Sequence, residues 1–207
     1  MKIINASYKI ETPIDGAEIL KRVEKAGRTC YKSEDRITEE SAKAFVRKLI
    51  ERGHESVLEH ESITVRFVCD RGVSHEIVRH RLASYSQEST RYCNYGNDRF
   101  GSELTFIKPC FFKEKKGAYC SWHNSMDFAE CAYFDMLDDG CTPQEARSVL
   151  PNSVKTELVM TANLREWRHF LKLRTAKAAH PQMRELTVPL LHELKKRIPV
   201  VFDDIQP

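Results

Sequence analysis

Long apolar runs are missing from this chain. No stretch approaches the ~18 consecutive apolar residues of a transmembrane helix, so no membrane association is expected. The opening residues, MKIINASYKIET, carry no apolar core of the secretory type, which makes a cytoplasmic location the expectation. Cysteines at redox or metal spacing are missing too. Cys30, Cys69, Cys93, Cys110, Cys120, Cys131 and Cys141 include no C-x-x-C pair, and an odd set of seven suits free thiols better than a disulfide framework. A charge excess is also lacking, since 33 basic and 30 acidic side chains leave only +3. Wholesale binding to nucleic acid is therefore not expected, and any preference for anions must come from local clustering. With no G-x-G-x-x-G or Walker loop, a dinucleotide would not be held in the Rossmann manner. With no G-x-S-x-G elbow, a serine nucleophile lacks support. Repeats, low-complexity segments and Gly/Ser linkers are absent, so one domain is expected over residues 1–207.

What is present is a mixture of helical and strand periodicity. Residues 2–10 alternate Ile3, Ala6, Tyr8 and Ile10 as a first strand, and Ile63, Val65, Phe67 and Cys69 alternate as a half-buried one. Helical spacing brings together Ile19, Leu20 and Val23 in residues 16–26, then Phe45, Val46, Leu49 and Ile50 in residues 39–51, with Gly53 as the stop. Ile77, Val78 and Leu82 predict a helix over 74–83, followed by a polar loop at 84–89. Short strands are expected at 91–95 and 104–107, a helix at 127–137, and a strand through Val154, Thr156, Leu158 and Met160. Two helix starts are clear: Thr142-Pro143 with Glu145, and Asn163 with Glu166 three residues on. Residues 181–197 complete the pattern as a helix that Pro189 should bend. The fold class is α+β, mixed helices with an antiparallel sheet.

Arginines are concentrated around one segment. Arg79, His80 and Arg81 are followed by Ser89, Thr90 and Arg91. On an ideal helix Arg79 and Arg81 point about 200° apart, so they would serve two anionic groups or one large ligand and one small. Ser89, Thr90 and Arg91 add hydroxyls, loop amides and a forked cation, a suitable cradle for phosphate. A solvated face paired with Glu76 and Glu88 is the plainer account of so many charges. The high share of arginine over lysine and the apolar neighbours weigh against it. Histidines suggest a metal, but His75-Glu76 and His80 are five apart, where the rings diverge by more than about a hundred degrees on one helix. His54 and His60 fare no better, so no metal is expected.

The segment 79–92, RHRLASYSQESTRY, resembles the signature of flavin-dependent thymidylate synthases: R-H-R, seven residues, then serine and T-R-Y. HESVLEH at 54–60, AGRTCY at 26–31, ARSVLP at 146–151, and the pair Asn163-Leu164-Arg165 with LKLR at 171–174 are similar to further family segments in the same order. The resemblance implies reductive methylation of dUMP to dTMP, with methylenetetrahydrofolate giving the carbon and NADPH reducing FAD. It further implies a homotetramer with shared active sites.

Carried over by position, the resemblance assigns Ser56, Arg79, His80, Arg81, Gln87, Asn163, Arg165 and His169 to FAD. It assigns Glu76, Arg79, Gln87, Glu88, Ser89, Thr90, Arg91, Arg147 and Arg174 to dUMP. Arg174 would be catalytic, a cation beside the uracil ring that favours an ionised N3. Glu76 stands where the family often has glutamine, Gln87 where it has glutamate, and His169 where it has asparagine. Two other functions remain open on sequence grounds: a basic module using Arg79, Arg81 and Arg91 on nucleic-acid phosphates, and a flavoprotein that only oxidises NADPH.

Overall fold

A computed structural model describes residues 1–96, 101–112 and 114–207. Its strands are β1 (Lys2–Ile4), β2 (Ser7–Ile10), β3 (Ser62–Asp70), β4 (Ala83–Gln87), β5 (Thr105–Ile107) and β6 (Lys155–Asn163). Its helices are α1 (Gly16–Thr29), α2 (Ser41–Glu51), α3 (Arg71–Ile77), α4 (Lys116–Asp138), α5 (Pro143–Ala146), α6 (Leu164–Arg174) and α7 (Pro181–Arg197). A short 3₁₀ helix runs over Glu55–His60. The strands form a pair, β1-β5, and a sheet of order β2-β3-β6-β4. The pairing of β1 with β5 is parallel, where only antiparallel pairing was expected. Packing divides the chain into two compact units, Met1–Ser7, Phe67–Arg79 and Ser86–Val159 in the first, Tyr8–Arg66, His80–Tyr85 and Met160–Pro207 in the second.

In the first unit, Lys2 pairs with Thr105 and Ile4 with Ile107 across the parallel strands. A core gathers Leu104, Phe106, Met126, Tyr133, Ala146 and Val154. Glu130 on α4 ties the chain's start to this core, since its carboxylate takes the Met1 ammonium at 2.8 Å and the Leu104 amide at 2.7 Å. Helix α5 opens with the expected capping box, in which Thr142 and Glu145 satisfy each other's amides.

In the second unit, Asp15 caps α1 by accepting from the Glu18 amide, and Ile19, Leu20, Val23 and Gly27 mark its buried face. Gly27 allows α1 to approach α2 closely: a Cβ there would lie 2.8 Å from the Phe45 ring. Trp167 and Phe170 of α6 are fully buried, and the Trp167 indole N–H donates to the Ile63 carbonyl at 3.0 Å. Gly16 meets the end of α7, where an added Cβ would sit 2.0 Å from the Arg197 carbonyl oxygen. Neither backbone can yield without disturbing a helix end. Gly16→Ala is therefore expected to lose about 2–3 kcal/mol of stability, readable by urea titration. An unchanged midpoint would mean that the two helix ends separate freely.

Five expectations need correction. Residues 74–83 do not form one helix: α3 starts earlier, at Arg71, where Asp70 caps it by accepting from the Val73 amide, and it stops at Ile77. Ile77 is buried, but Val78 and Leu82 are 37% and 75% exposed, so the apolar spacing that suggested a helix is not a core face. Arg79, His80 and Arg81 thus lie in the turn and link before β4, and helical angles do not govern them. Of residues 84–89, expected as polar loop, 84–87 belong to strand β4 beside β6 at the end of the sheet order, where a strand need not be apolar. The stretch 91–95 forms a turn and not a strand, residues 2–10 divide into β1 and β2, and α4 begins eleven residues before the expected 127.

Candidate active site

Helix α6 organises the chemistry of the second unit. Asn163 starts it, its side-chain oxygen accepting from the Glu166 amide at 2.9 Å. One helical turn then separates Asn163, Glu166 and His169 along one face. These three, with Arg165, Lys172, Leu82, Glu55 and Glu59, line a cavity of about 560 Å³, within the usual range for small-molecule sites. Arg165 crosses to Glu59 at 2.6 Å. Ser56 is exposed on the same 3₁₀ helix that supplies Glu55 and Glu59.

His80 lies buried against α6. Its Nδ1 is 3.2 Å from a Glu166 carboxylate oxygen, and its Nε2 is 3.0 Å from Arg174 Nε. The His169 and Phe170 rings meet it edge-on at 5.5 and 4.9 Å. Burial, followed by the Arg174 charge and His169, pushes the His80 pKa down to about 4, so the ring is neutral at physiological pH. Tyr85 donates its hydroxyl to the His80 carbonyl at 2.7 Å, and burial raises its pKa to about 12, keeping that donor protonated. The ring nitrogens of His80 and His169 and a Glu166 oxygen lie within 4.8 Å of one another, a metal-like spacing that comparison of histidines along one helix did not find. Arg174 places a permanent cation on the same His80 ring, which opposes a metal ion there.

In the first unit, residues 89–93 make a tight turn. The Ser89 carbonyl accepts from the Tyr92 and Cys93 amides, and its hydroxyl faces the Arg91 amide at 3.3 Å. Thr90 is buried within this turn, while Arg91 is exposed, stacks over Tyr92 at 5.3 Å and donates to Gln144 of α5 at 2.8 Å. Exposed Arg147 follows α5 three residues after Gln144. Hydroxyl, amide and guanidinium donors therefore collect at 89–91, next to a helix that ends on a second arginine. Glu88 and Gln87 face other partners. Glu88 accepts from the Tyr95 hydroxyl, Lys155 and the Glu157 amide at 2.9, 3.0 and 3.1 Å, and the Gln87 amide reaches Ser74 and Thr156. Glu76 is half-buried on α3, and Arg79 is exposed in the turn after it.

Among the expected residues the second unit thus brings together His80, Asn163, Arg165, His169 and Arg174, with Ser56 on a neighbouring element and Arg81 exposed. The first unit brings together Ser89, Thr90, Arg91 and, through Gln144, the α5 end that carries Arg147. Glu166 and Tyr85 were not anticipated; the only trace of Glu166 was its place three residues after Asn163, which suggested a cap.

Known proteins resemble this chain along most of its length. Residues 14–200 match the family Thy1, described as "Thymidylate synthase complementing protein". A flavin-dependent thymidylate synthase of Pyrococcus furiosus is 36% identical over 182 residues, 87% of this chain and 72% of the relative. One from Geobacter sulfurreducens is 35% identical over 189 residues, 88% and 80% of the two chains. The UMP/dUMP methylase PolB of Streptomyces cacaoi, solved with 5-Br dUMP, superposes with a TM-score of 0.81 at 23% identity over 98% of this chain and 96% of its own, a likeness of fold. With the family match running through nearly all of the chain and both relatives above a third identical, the chain belongs to the Thy1 family of flavin-dependent thymidylate synthases.

Proposed function

We propose that the chain catalyses reductive methylation of dUMP to dTMP, with methylenetetrahydrofolate as carbon donor and NADPH-reduced FAD as hydride source. The observation that carries this reading, beside family membership, is Arg174 held by a buried neutral histidine next to a cavity lined by Asn163, Arg165 and His169. That lining fits a flavin. It offers amide, guanidinium and imidazole donors, carboxylate acceptors and the apolar Leu82, the mixture a heteroaromatic ring with a pyrophosphate tail requires. FAD bound there supplies hydride transfer, the step no side chain can perform.

The chain's own residues then bind and polarise. Asn163, Arg165 and His169, with His80, Arg81 and Ser56, would hold the cofactor, and Arg79 and Gln87 are assigned to it by the family resemblance alone. Ser89, Thr90 and Arg91 with Arg147 take the dUMP phosphate through charge-assisted hydrogen bonds, and Glu76, Arg79, Gln87 and Glu88 shape the rest of the nucleotide site. Arg174 is catalytic: its permanent cation stabilises negative charge on the uracil, which makes C5 more nucleophilic toward the methylene carbon. As the methylene carbon bonds to C5, its bonds to the folate nitrogens would break and tetrahydrofolate would leave; C5 would lose its proton, and hydride from the bound reduced flavin would complete the methyl group.

The two units act as one synthase domain over residues 1–207, which the uninterrupted family match supports. Assembly is a homotetramer with shared sites. Exposed Tyr31, Tyr92, Phe128, Leu82 and Leu173 supply apolar surface for it. The location is cytoplasmic, in keeping with seven free cysteines, and neither nucleic acid nor membrane is a partner; no helix among the described residues is long and apolar enough to span one.

Purified protein should show flavin absorbance that NADPH bleaches, and should release tritium from C5-labelled dUMP only with methylenetetrahydrofolate. A colourless protein that takes up no added FAD would overturn the proposal. Bleaching without tritium release would instead identify an NADPH oxidase.

A further inference from the structure

We propose that Glu166 is a positioning residue that fixes the His80 ring in its Nδ1–H form, leaving Nε2 bare to receive Arg174. The inference rests on the reading of Arg174 as catalytic, and it adds a residue to that site for which the family resemblance gives no role.

A guanidinium has only donors, so an Nε–H of Arg174 directed at His80 Nε2 over 3.0 Å requires a lone pair on that nitrogen. A neutral imidazole carries one proton, which must then sit on Nδ1. Nδ1 faces the Glu166 carboxylate at 3.2 Å, and a carboxylate can only accept. The three side chains therefore form one directed chain, Arg174 to His80 to Glu166, in which each donor has one acceptor. The His80 and Glu166 side chains are only 4% and 7% exposed, so water competes poorly for these bonds.

The placement of Glu166 follows from how α6 begins. In a full capping box the glutamate at this position turns back to the amide of the capping residue. Here Asn163 makes its half of the exchange, accepting from the Glu166 amide, while the Glu166 carboxylate turns to His80. At α5, by contrast, Glu145 does complete the box with Thr142. Glu166 is thus diverted from capping to the imidazole.

Without an acceptor on Nδ1, a buried N–H is left unpaired, and moving the proton to Nε2 relieves this only by giving up the bond from Arg174, whose half-buried guanidinium can be resolvated. On Nε2 the proton meets the Arg174 N–H donor against donor, and the guanidinium must leave the position in which it is held. Burial raises the Glu166 pKa, although His169 acts the other way.

The test uses the full-length protein supplied with FAD, with nitrogen-15 histidine and NMR detection of the ring nitrogens. Wild type should show His80 as the Nδ1–H form. Glu166→Gln, whose amide oxygen still accepts, should keep that form and most activity. Glu166→Leu should shift His80 to Nε2–H and lower kcat about tenfold, with KM for dUMP little changed. A Glu166→Leu protein that is folded and flavin-loaded yet keeps the Nδ1–H form, or one that shifts tautomer at unchanged kcat, would overturn the proposal. Equal loss of activity and folding in both variants would do so too, by showing a merely structural role. Failure of the Arg174 reading is separable: Arg174→Ala would then turn over normally whatever the His80 tautomer.

Discussion

Arg174→Ala is expected to lower dTMP formation about 10²–10³-fold while leaving FAD bound. The size follows from what one preorganised charge-bearing donor is worth when it faces developing charge in a partly buried site. Arg174 is half-buried at the last turn of α6, and its Nε–H is spent on His80. The Nε contact sets the direction of the guanidinium. Truncation should not disturb the helix end, because the Thr187 hydroxyl holds the Arg174 carbonyl at 2.9 Å and the Thr175 amide is bonded to Leu171. Nor is Arg174 among the residues that line the 560 Å³ cavity, so flavin content should persist. Lysine at this position should recover little, since a point charge on a flexible stem cannot both bond His80 and face a uracil carbonyl. Turnover measured beside flavin content decides the matter. Near-normal turnover in flavin-replete Arg174→Ala would remove Arg174 from the chemistry.

Why this site was only partly legible in the sequence can be seen from its two ends. Helices α1, α2, α6 and α7 and strands β3 and β6 fall within a few residues of expectation, because each buries a long periodic face: Ile63, Val65, Phe67 and Cys69 on β3, and Trp167, Phe170 and Leu171 on α6. Residues 74–83 misled for the opposite reason. Three apolar side chains at helical spacing carry little information when two of them, Val78 and Leu82, serve the surface. Helix α4 was expected short because its first turns are largely exposed and mix apolar with polar side chains without a clear stripe. The neutral state of His80 depends on burial and on groups distant in sequence, Arg174 and His169. No local pattern reports such contacts, and the single clue to Glu166, its place after Asn163, pointed to capping. The grouping of Ser89, Thr90 and Arg91 was readable because one turn holds these residues within a few positions of one another.

The largest effect on stability is expected at Arg168, the neighbour of this face on α6. Its side chain is almost fully buried, yet it carries a guanidinium. One nitrogen donates to Asp204 at 2.7 Å and to the Val201 carbonyl, and the other to Asp204 and Glu55, each at 2.9 Å. Burial lowers the Arg168 pKa, but the bonds to Asp204 and Glu55 more than reverse this, so the charge stays. Burial likewise pushes the Asp204 pKa up, and Arg168 outweighs it, leaving Asp204 below its ordinary value. Removing one member of a buried ion pair commonly costs about 3–5 kcal/mol. Asp204 is half exposed and can be resolvated, so about 2–4 kcal/mol is expected for Arg168→Leu at pH 7. The sign of the pH dependence follows from Asp204. A carboxyl with a lowered folded pKa contributes stability fully above its unfolded pKa of about 3.9, and that contribution is lost as pH falls through the folded value. Wild type should therefore lose stability below about pH 4 more steeply than Arg168→Leu, and the gap between them should narrow. Urea titrations at pH 7 and pH 3 measure both quantities. A gap that stays constant between the two would mean that Arg168 stabilises the fold through its packing and its bond to Val201, with the charge on Asp204 contributing nothing.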